Sequence, residues 1–598
     1  MKVRTRSAMA VLAIGALALT GACAQGNQGA PAAPSGASGA PSEGAPAAAP
    51  SYKPPTITVG TADDSKGPAI EPEGVVKGGT VTMIDRDDIG HLDPAQVYVN
   101  TMSNFGLLIG RTLTGYKRVG PGDYKLVGDL ATDSGTSSEG GKTWTFTLKD
   151  GVKWEDGTPI TSEDVKWSME RTFASFVTQG PTYIQQWLTE VDHKKAYQGP
   201  YDGKRLDSIE TPDDKTIVYK FKSPHADANY AFAMGGYGIV PKEKDTKEQY
   251  DKKPVSSGPY IIKSHVVDKS MELARNPNWD PATDPIRGAY PDAWRLEFGQ
   301  ENLQITDRLI ADTGPDQTAF TFYATVPPER LQQVLGDASL APRLMKSPSP
   351  YGNYYYFNLD RVKDPKIRQA INHAWPSKQI QQVYGGPAAA ALPTTILNEN
   401  TTVGYESYDL FGKETKPEGD VEKAKQLLAE STNPTPTIVY AYNQTPLQEQ
   451  ITVVIKNALE KTGIKVVAKP LDRKTYYDSI GKVKNEFDLY WGGWGADWPS
   501  GTTVLPVIFG PIADGAPNYS HLKDEAVTKE MEEITALTDI DAQNKAWMAL
   551  DKKIQETITP LVVAENRIAN TLHGSKVGGA EIDPQSWVVS PNSIFVKQ

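Results

Sequence analysis

The chain of 598 residues has a single cysteine, Cys23. No internal disulfide can form, so the body must be held by its hydrophobic core. Past the first two dozen residues, no apolar run approaches the roughly 20 residues needed to cross a bilayer. Histidine is scarce: the seven are His91, His193, His225, His265, His373, His521 and His573, and no two lie within five residues of each other. That spacing excludes an HExxH zinc helix or any other local metal motif. No G-x-S-x-G segment occurs, so a nucleophile elbow is excluded too. Positive charge is in deficit, with 62 Lys and Arg against 73 Asp and Glu and a net charge of −11. A basic nucleic-acid footprint is therefore absent. Gly140-Gly141-Lys142-Thr143 looks like the end of a phosphate-binding loop. Its spacing from Gly135 is one residue too long, and an alternating strand follows where a helix must begin. A hairpin loop accounts for it. Carboxylates are too abundant for any pair to be singled out as general acid and base.

What is present begins with the leader. Lys2, Arg4 and Arg6 precede an apolar run from Ala8 to Leu19, which has the length of a signal-peptide core. Leu19-Thr20-Gly21-Ala22-Cys23 places small residues before the sole cysteine. It resembles a bacterial lipobox, in which the thiol is acylated and becomes the new N-terminus, although leucine stands one position further from the cysteine than usual. A secretory signal cut near Ala22 is the other reading. From Asn27 to Tyr52 the sequence is almost wholly Ala, Gly, Pro and Ser, with Glu43 its only charge. Such a stretch cannot bury enough apolar surface to offset its ordering entropy, and it predicts a flexible spacer. Residues 1–22 are thus read as a lipoprotein signal peptide and 23–76 as a lipid-anchored linker. Removing the leader removes three cations and leaves a net charge of −14.

The body alternates strand and helix signals. Thr80 to Ile84 predicts a first strand, followed by Leu92-Asp93-Pro94. Lys142 to Lys149 alternates polar and apolar residues, the period of a half-buried strand. Asp150-Gly151 makes a turn, Val152-Lys153-Trp154 a short strand, and Asp156-Gly157 another turn. Thr161-Ser162-Glu163-Asp164 reads as a capping box, opening a helix whose inner face carries Val165, Ser168, Met169, Thr172 and Phe173. Strand-like residues run from Tyr260 to Ala274, with a turn at Asn276-Pro277-Asn278, and Tyr354 to Leu359 predicts a further strand. Asp364-Pro365 pairs an N-cap aspartate with proline at the first helical position, ahead of Ile367, Ala370, Ile371 and Ala374. Pro376 ends that run. Asp420 caps another helix. Thr437 to Tyr442, Leu447 to Lys461 and Ile464 to Ala468 form strand, helix and strand, a βαβ unit with a parallel pair. Glu486 to Tyr490 supplies another strand. The fold class is mixed α/β.

The most unusual segment is Tyr490-Trp491-Gly492-Gly493-Trp494-Gly495-Ala496-Asp497-Trp498-Pro499. Three tryptophans, a tyrosine and three glycines surround one carboxylate. An aspartate among aromatic walls is poorly solvated unless something pairs with it, and a ligand ammonium would do so. Alternatively, Asp497 caps backbone N–H groups at the end of a strand. The residues alone leave both readings open.

Several segments, in order, resemble the solute-binding proteins of bacterial ABC importers, specifically the oligopeptide- and dipeptide-binding family (extracellular solute-binding protein family 5). They are Gly79-Thr80 with Leu92-Asp93-Pro94, and Leu130-Ala131 with the run from Gly141 to Val165 that contains Lys149-Asp150-Gly151-Val152-Lys153-Trp154 and Asp156-Gly157-Thr158-Pro159. Ser257-Gly258-Pro259-Tyr260 with Arg275-Asn276-Pro277, Phe357-Asn358 with Ile367-Arg368-Gln369-Ala370, Val421 to Glu430, and Trp494 to Pro499 complete the set. The resemblance implies a two-lobed, class II periplasmic-binding-protein-like fold with an extra α+β domain beside lobe I. Carried onto this chain, residues 77–117, 236–330 and 556–598 would form lobe I, 118–235 the extra domain and 331–555 lobe II.

The resemblance also implies a ligand site. Asp497 matches the aspartate that holds a peptide's ammonium, Trp494 an aromatic that walls a side-chain pocket, and Tyr98 to Asn100 a segment lying along the ligand. Tyr183 is a further candidate. The implied protein is a monomeric receptor that captures oligopeptides and delivers them to an ABC permease. It needs no catalysis, cofactor or metal, touches the membrane only through a lipid on Cys23, and sits at the extracytoplasmic face. Arg361, Arg368 and Lys378 read as surface or structural cations, so no partner for a ligand carboxylate is assigned. The competing readings are the same fold with a non-peptide solute such as an oligosaccharide or metal chelate, a peptide-sensing lipoprotein, and a secreted hydrolase.

Overall fold

A computed structural model describes residues 55–189 and 193–598. The leader, Cys23 and the spacer from Asn27 to Tyr52 lie outside the described residues. Two five-stranded sheets anchor two lobes. In the first sheet, Thr80–Ile84 runs parallel to Ala293–Glu297 and Ala319–Phe320, and the hairpin Tyr260–Val266 with Ser270–Arg275 extends the edge. Its core gathers Val81, Met83, Phe105, Leu108, Leu273 and Trp294. In the second sheet the order is Lys465–Leu471, Thr437–Asn443, Leu489–Gly495, Tyr351–Phe357, Leu561–Val563. The first two are the parallel pair of the expected βαβ unit, joined by helix Pro446–Glu460. Strand Tyr351–Phe357 is buried on both faces: Tyr354 and Tyr356 point into one core, Tyr355 and Phe357 into the other, as a period of two requires. A third, antiparallel sheet joins Thr136–Ser138, Thr143–Thr147, Thr216–Lys220 and Ile209–Glu210. It is packed by Trp144, Phe146, Trp154, Trp187 and Phe232.

Local signals are realised as chemistry. Thr161 caps helix Ser162–Arg171 in a reciprocal box with Asp164, and Asp364 caps Pro365–His373 through the Lys366 N–H at 2.9 Å. Asp93 of Leu92-Asp93-Pro94 caps the short turn Pro94–Gln96 and receives the buried Arg171 guanidinium through bonds of 2.7 and 2.6 Å. This two-point pair fixes the chain entering residues 98–100 against helix Ser162–Arg171.

Six expectations are corrected. The folded body begins before residue 77: Thr56–Val59 pairs parallel with Asp123–Gly128 and buries Ile57, so the β-branched run Thr56-Ile57-Thr58-Val59 belongs to a sheet rather than to the linker. The boundary between 117 and 118 cuts strand Thr114–Gly120, which pairs with Asp123–Gly128. Within 556–598, Leu561–Val563 is an edge strand of the second sheet, not the first. The strand expected at Glu486 to Tyr490 begins at Leu489 and continues to Gly495, through the tryptophan–glycine segment. Finally, the run to Ala274 is a hairpin with a turn after Val266, and Val152-Lys153-Trp154 contributes only a bridge from Lys153 to Pro159.

Candidate functional site

The strand Leu489–Gly495 explains the glycines. Its antiparallel register against Tyr351–Phe357 sets Trp494 opposite Gly352, Gly492 opposite Tyr354, and Gly495 opposite Tyr351. A Cβ on Gly495 would lie 2.4 Å from Tyr351 Cδ1, and one on Gly352 would strike the Tyr354 hydroxyl. None of Gly492, Gly493 and Gly495 has a positive φ. They make room for neighbouring rings and do not relieve a strained backbone.

Asp497 lies just past the end of this strand, and three packed units meet on it. Tyr98, ahead of helix Asn100–Ile109, donates its hydroxyl to Asp497 Oδ2 at 3.1 Å. Tyr183, at the start of helix Tyr183–Thr189, donates a short bond to the same oxygen. Asp497's own N–H is held by Thr503 Oγ1 at 3.2 Å, and the Thr503 carbonyl accepts Trp494 Nε1 at 2.7 Å. Asn100 crosses the same seam, donating to the Tyr351 hydroxyl and, at 2.8 Å, to the Ser586 carbonyl. Asp497 Oδ1 receives no hydrogen bond from any described residue. Burial pushes the Asp497 carboxyl up to about 6, against the opposing pull of the two phenols. No cation among the described residues offsets the cost of desolvating its charge.

These residues border a cavity of about 440 Å³, walled by Tyr98, Asn100, Tyr351, Trp494, Asp497 and, from the C-terminal segment, Ser586. Its size falls within the range of roughly 300–1,000 Å³ typical of small-ligand sites. Of the candidates from sequence, Tyr98, Asn100, Trp494 and Asp497 line the cavity, while Tyr183 touches Asp497 without lining it. The excluded cations have structural work. Arg368 is buried and donates to the carbonyls of Val362, Lys363, Ile558 and Thr559. Arg361 pairs with Asp488, and Lys378 with Glu418. Among the described residues no group of three or more His, Cys, Asp or Glu converges as a metal site.

Three participants were missed from sequence. Tyr351 and Ser586 reach the site only through the register of the second sheet and the return of the C-terminal segment. Trp498 was visible in the aromatic segment, but its destination was not. It is 2 % exposed, packs with Tyr183 and Trp187 in the core of the third sheet, and donates Nε1 to buried Asp227 at 2.7 Å. A residue of the second-sheet chain thus plugs the core of another unit, next to the site.

Two lobes with a cavity at their seam, and a half-buried carboxylate open on one oxygen, define a binding protein of the periplasmic type. The family described as bacterial extracellular solute-binding proteins, family 5, matches residues 125–515, and the chain belongs to that family. A putative ABC transporter peptide-binding protein of Brucella ovis is 26% identical over 438 residues, covering 69% of this chain and 74% of its own. The periplasmic oligopeptide-binding protein OppA of Salmonella typhimurium is 24% identical over 465 residues, covering 74% and 80%. Among solved structures, clavulanic acid biosynthesis oligopeptide binding protein 2 has a TM-score of 0.79 at 27% identity, covering 90% of this chain and all of its own. The Haemophilus influenzae OppA complex with the peptide RPPGFSPFR has a TM-score of 0.62 at 20% identity, covering 88% of this chain and 100% of its own, a likeness of fold alone.

Proposed function

We propose that this protein captures oligopeptides in the seam cavity, holds their N-terminal ammonium on Asp497, and delivers them to an ABC importer without catalysis. The observation that carries this reading is a desolvated carboxylate whose Oδ1 is unpaired, and which no cation faces, among the described residues. An ammonium placed there would gain a charge-assisted bond and relieve the cost of burying the charge. Tyr98, Asn100 and Trp494 would line the peptide, and Tyr183 would hold Asp497 in place. Ligand would favour the closed form, which the permease would read. The names of the relatives support a peptide over a sugar or chelate.

The test is calorimetry with a tripeptide and its N-acetylated form, which lacks the ammonium. The free peptide should bind at least tenfold tighter and be recovered intact. Equal affinity would remove Asp497 from ammonium capture, and cleavage would mark a hydrolase.

In the proposed division, lobe I takes most of 77–117, 236–330 and the C-terminal segment, the extra domain 118–235, and lobe II 331–555, with the corrections made above. The proposed extracytoplasmic address and lipid anchor rest on the family's description and on Leu19 to Cys23. Cys23→Ala should release the protein from the membrane fraction, and retention would refute the anchor.

A further inference from the structure

The acidic and basic side chains among the described residues lining the cavity are His91, Arg111, Arg287, Asp497 and Asp583. Each basic group is paired with a carboxylate. His91 Nδ1 meets Asp251 Oδ2 at 2.8 Å, and the other oxygen of Asp251 is tied to the N–H groups of Leu92 and Asp93. Arg111 and Arg287 share buried Asp129, with bonds of 2.8, 3.0 and 2.9 Å, and Arg287 also holds buried Asp284. Further donors of the two meet the carbonyls of Leu107, Asp129 and Thr283 and the Thr283 hydroxyl, so that four of the five N–H groups of each guanidinium are used. These two arginines are paired with two carboxylates behind the wall, where the Lys149 ammonium also donates to the carbonyls of Gly128, Asp129 and Thr283; among the described residues no lysine lines the cavity.

The two acids of the lining have no such cover. Among the described residues the Asp497 carboxylate meets only the phenols of Tyr98 and Tyr183. Asp583 Oδ1 accepts the N–H groups of Gln585 and Ser586, both at 2.9 Å, and neither of its oxygens pairs with a cation among the described residues. Arg118 is held by Glu581 instead. Gln585, on the same wall, has a buried Nε2 with no partner, a donor suited to a ligand carbonyl. Among the described residues the ligand therefore meets two acids without a cation partner, and no cation that lacks a carboxylate partner. In a poorly solvated cavity that imbalance favours positive guests and disfavours negative ones.

The geometry points to a cavity selective for cationic peptides, with the ammonium at Asp497, a basic side chain toward Asp583, and a C-terminal carboxylate that meets no counter-ion among the described residues. This rests on the ammonium-capture reading above. Calorimetry on the whole mature chain with Ala-Ala-Ala, Ala-Lys-Ala, Ala-Ala-Lys and their C-terminal amides tests it. At least one lysine peptide should bind tenfold or more tighter than Ala-Ala-Ala, with the preference shrinking in high salt, and amidation should leave affinity within threefold or raise it. Asp583→Asn should abolish the lysine preference. If that variant does not fold, the peptide series on the unaltered protein decides. Lysine peptides no tighter than Ala-Ala-Ala, or a tenfold loss on amidation, overturn the inference and leave peptide capture standing. If none of the six binds, peptide capture itself fails and the inference with it.

Discussion

Replacing Asp497 by asparagine should move stability and affinity in opposite directions. In the ligand-free protein, burial raises this carboxyl from an ordinary 3.8 to about 6. Each unit is worth about 1.36 kcal/mol, so at pH 7.5 the charge destabilises the fold by up to about 3 kcal/mol, less where solvent reaches the half-buried group. A raised pKa means the protonated form stabilises the fold below pH 3.8, and that contribution is lost as pH climbs through about 6. An asparagine amide in its place has no charge to bury. At pH 7.5 Asp497→Asn should therefore melt higher than the parent, and the two curves should converge near pH 3.5. Affinity should fall, because removing one side of a buried ammonium–carboxylate pair costs roughly 2–5 kcal/mol, or about 30- to several-thousand-fold in Kd. Thermal melts at the two pH values and calorimetry with one tripeptide read both effects. A variant that is less stable at pH 7.5 and binds normally would refute the argument. Asp497 would then be a structural acceptor for Tyr98, Tyr183 and its neighbours.

The remaining predictions concern the same seam. Peptide affinity should be highest near pH 7 and about tenfold weaker at pH 5, as the carboxyl that titrates near 6 takes a proton, and should fall again above about pH 8 as the peptide's α-ammonium loses its proton; a titration flat between pH 5 and 7 would remove Asp497 from the contact. Gly495→Ala places a Cβ 2.4 Å from Tyr351, which should cost about 1–3 kcal/mol and, by displacing the Tyr351 hydroxyl from Asn100, weaken binding; a neutral melt would show that the register is wrong. Trp498→Ala should cost about 3–5 kcal/mol and leave Asp227 without its indole donor. Hydrogen exchange should then rise around helix Tyr183–Thr189 as well as beyond strand Leu489–Gly495. A rise confined to the tryptophan's own segment would show that the plug does not couple the two units.

Much of the fold was legible wherever its cause was local. The capping box at Thr161, the Asp364-Pro365 start and the βαβ unit from Thr437 each follow from hydrogen bonds or periodicities spanning a few residues. The aromatic segment was legible as unusual, but not as strand, because its glycines depend on rings of the partner strand at Tyr351 and Tyr354. The pairing of Tyr98 with Asp497, 399 residues apart, came within reach only through family resemblance. Nothing in the sequence marked Trp498 as the plug of another core, Thr56–Val59 as a strand paired with a segment some 65 residues on, or Asp583 as a wall of the cavity. Those placements depend on how the chain crosses between units, which neither propensity nor spacing encodes.

The central claim is that Asp497 receives a positively charged guest between the lobes. A crystal structure of the protein purified with whatever ligand it retains tests this most directly. A ligand nitrogen should lie within hydrogen-bond distance of Asp497 Oδ1, with Tyr98 and Tyr183 still on Oδ2. A guest seated elsewhere, with the carboxylate bonded only to its tyrosines, would contradict the account.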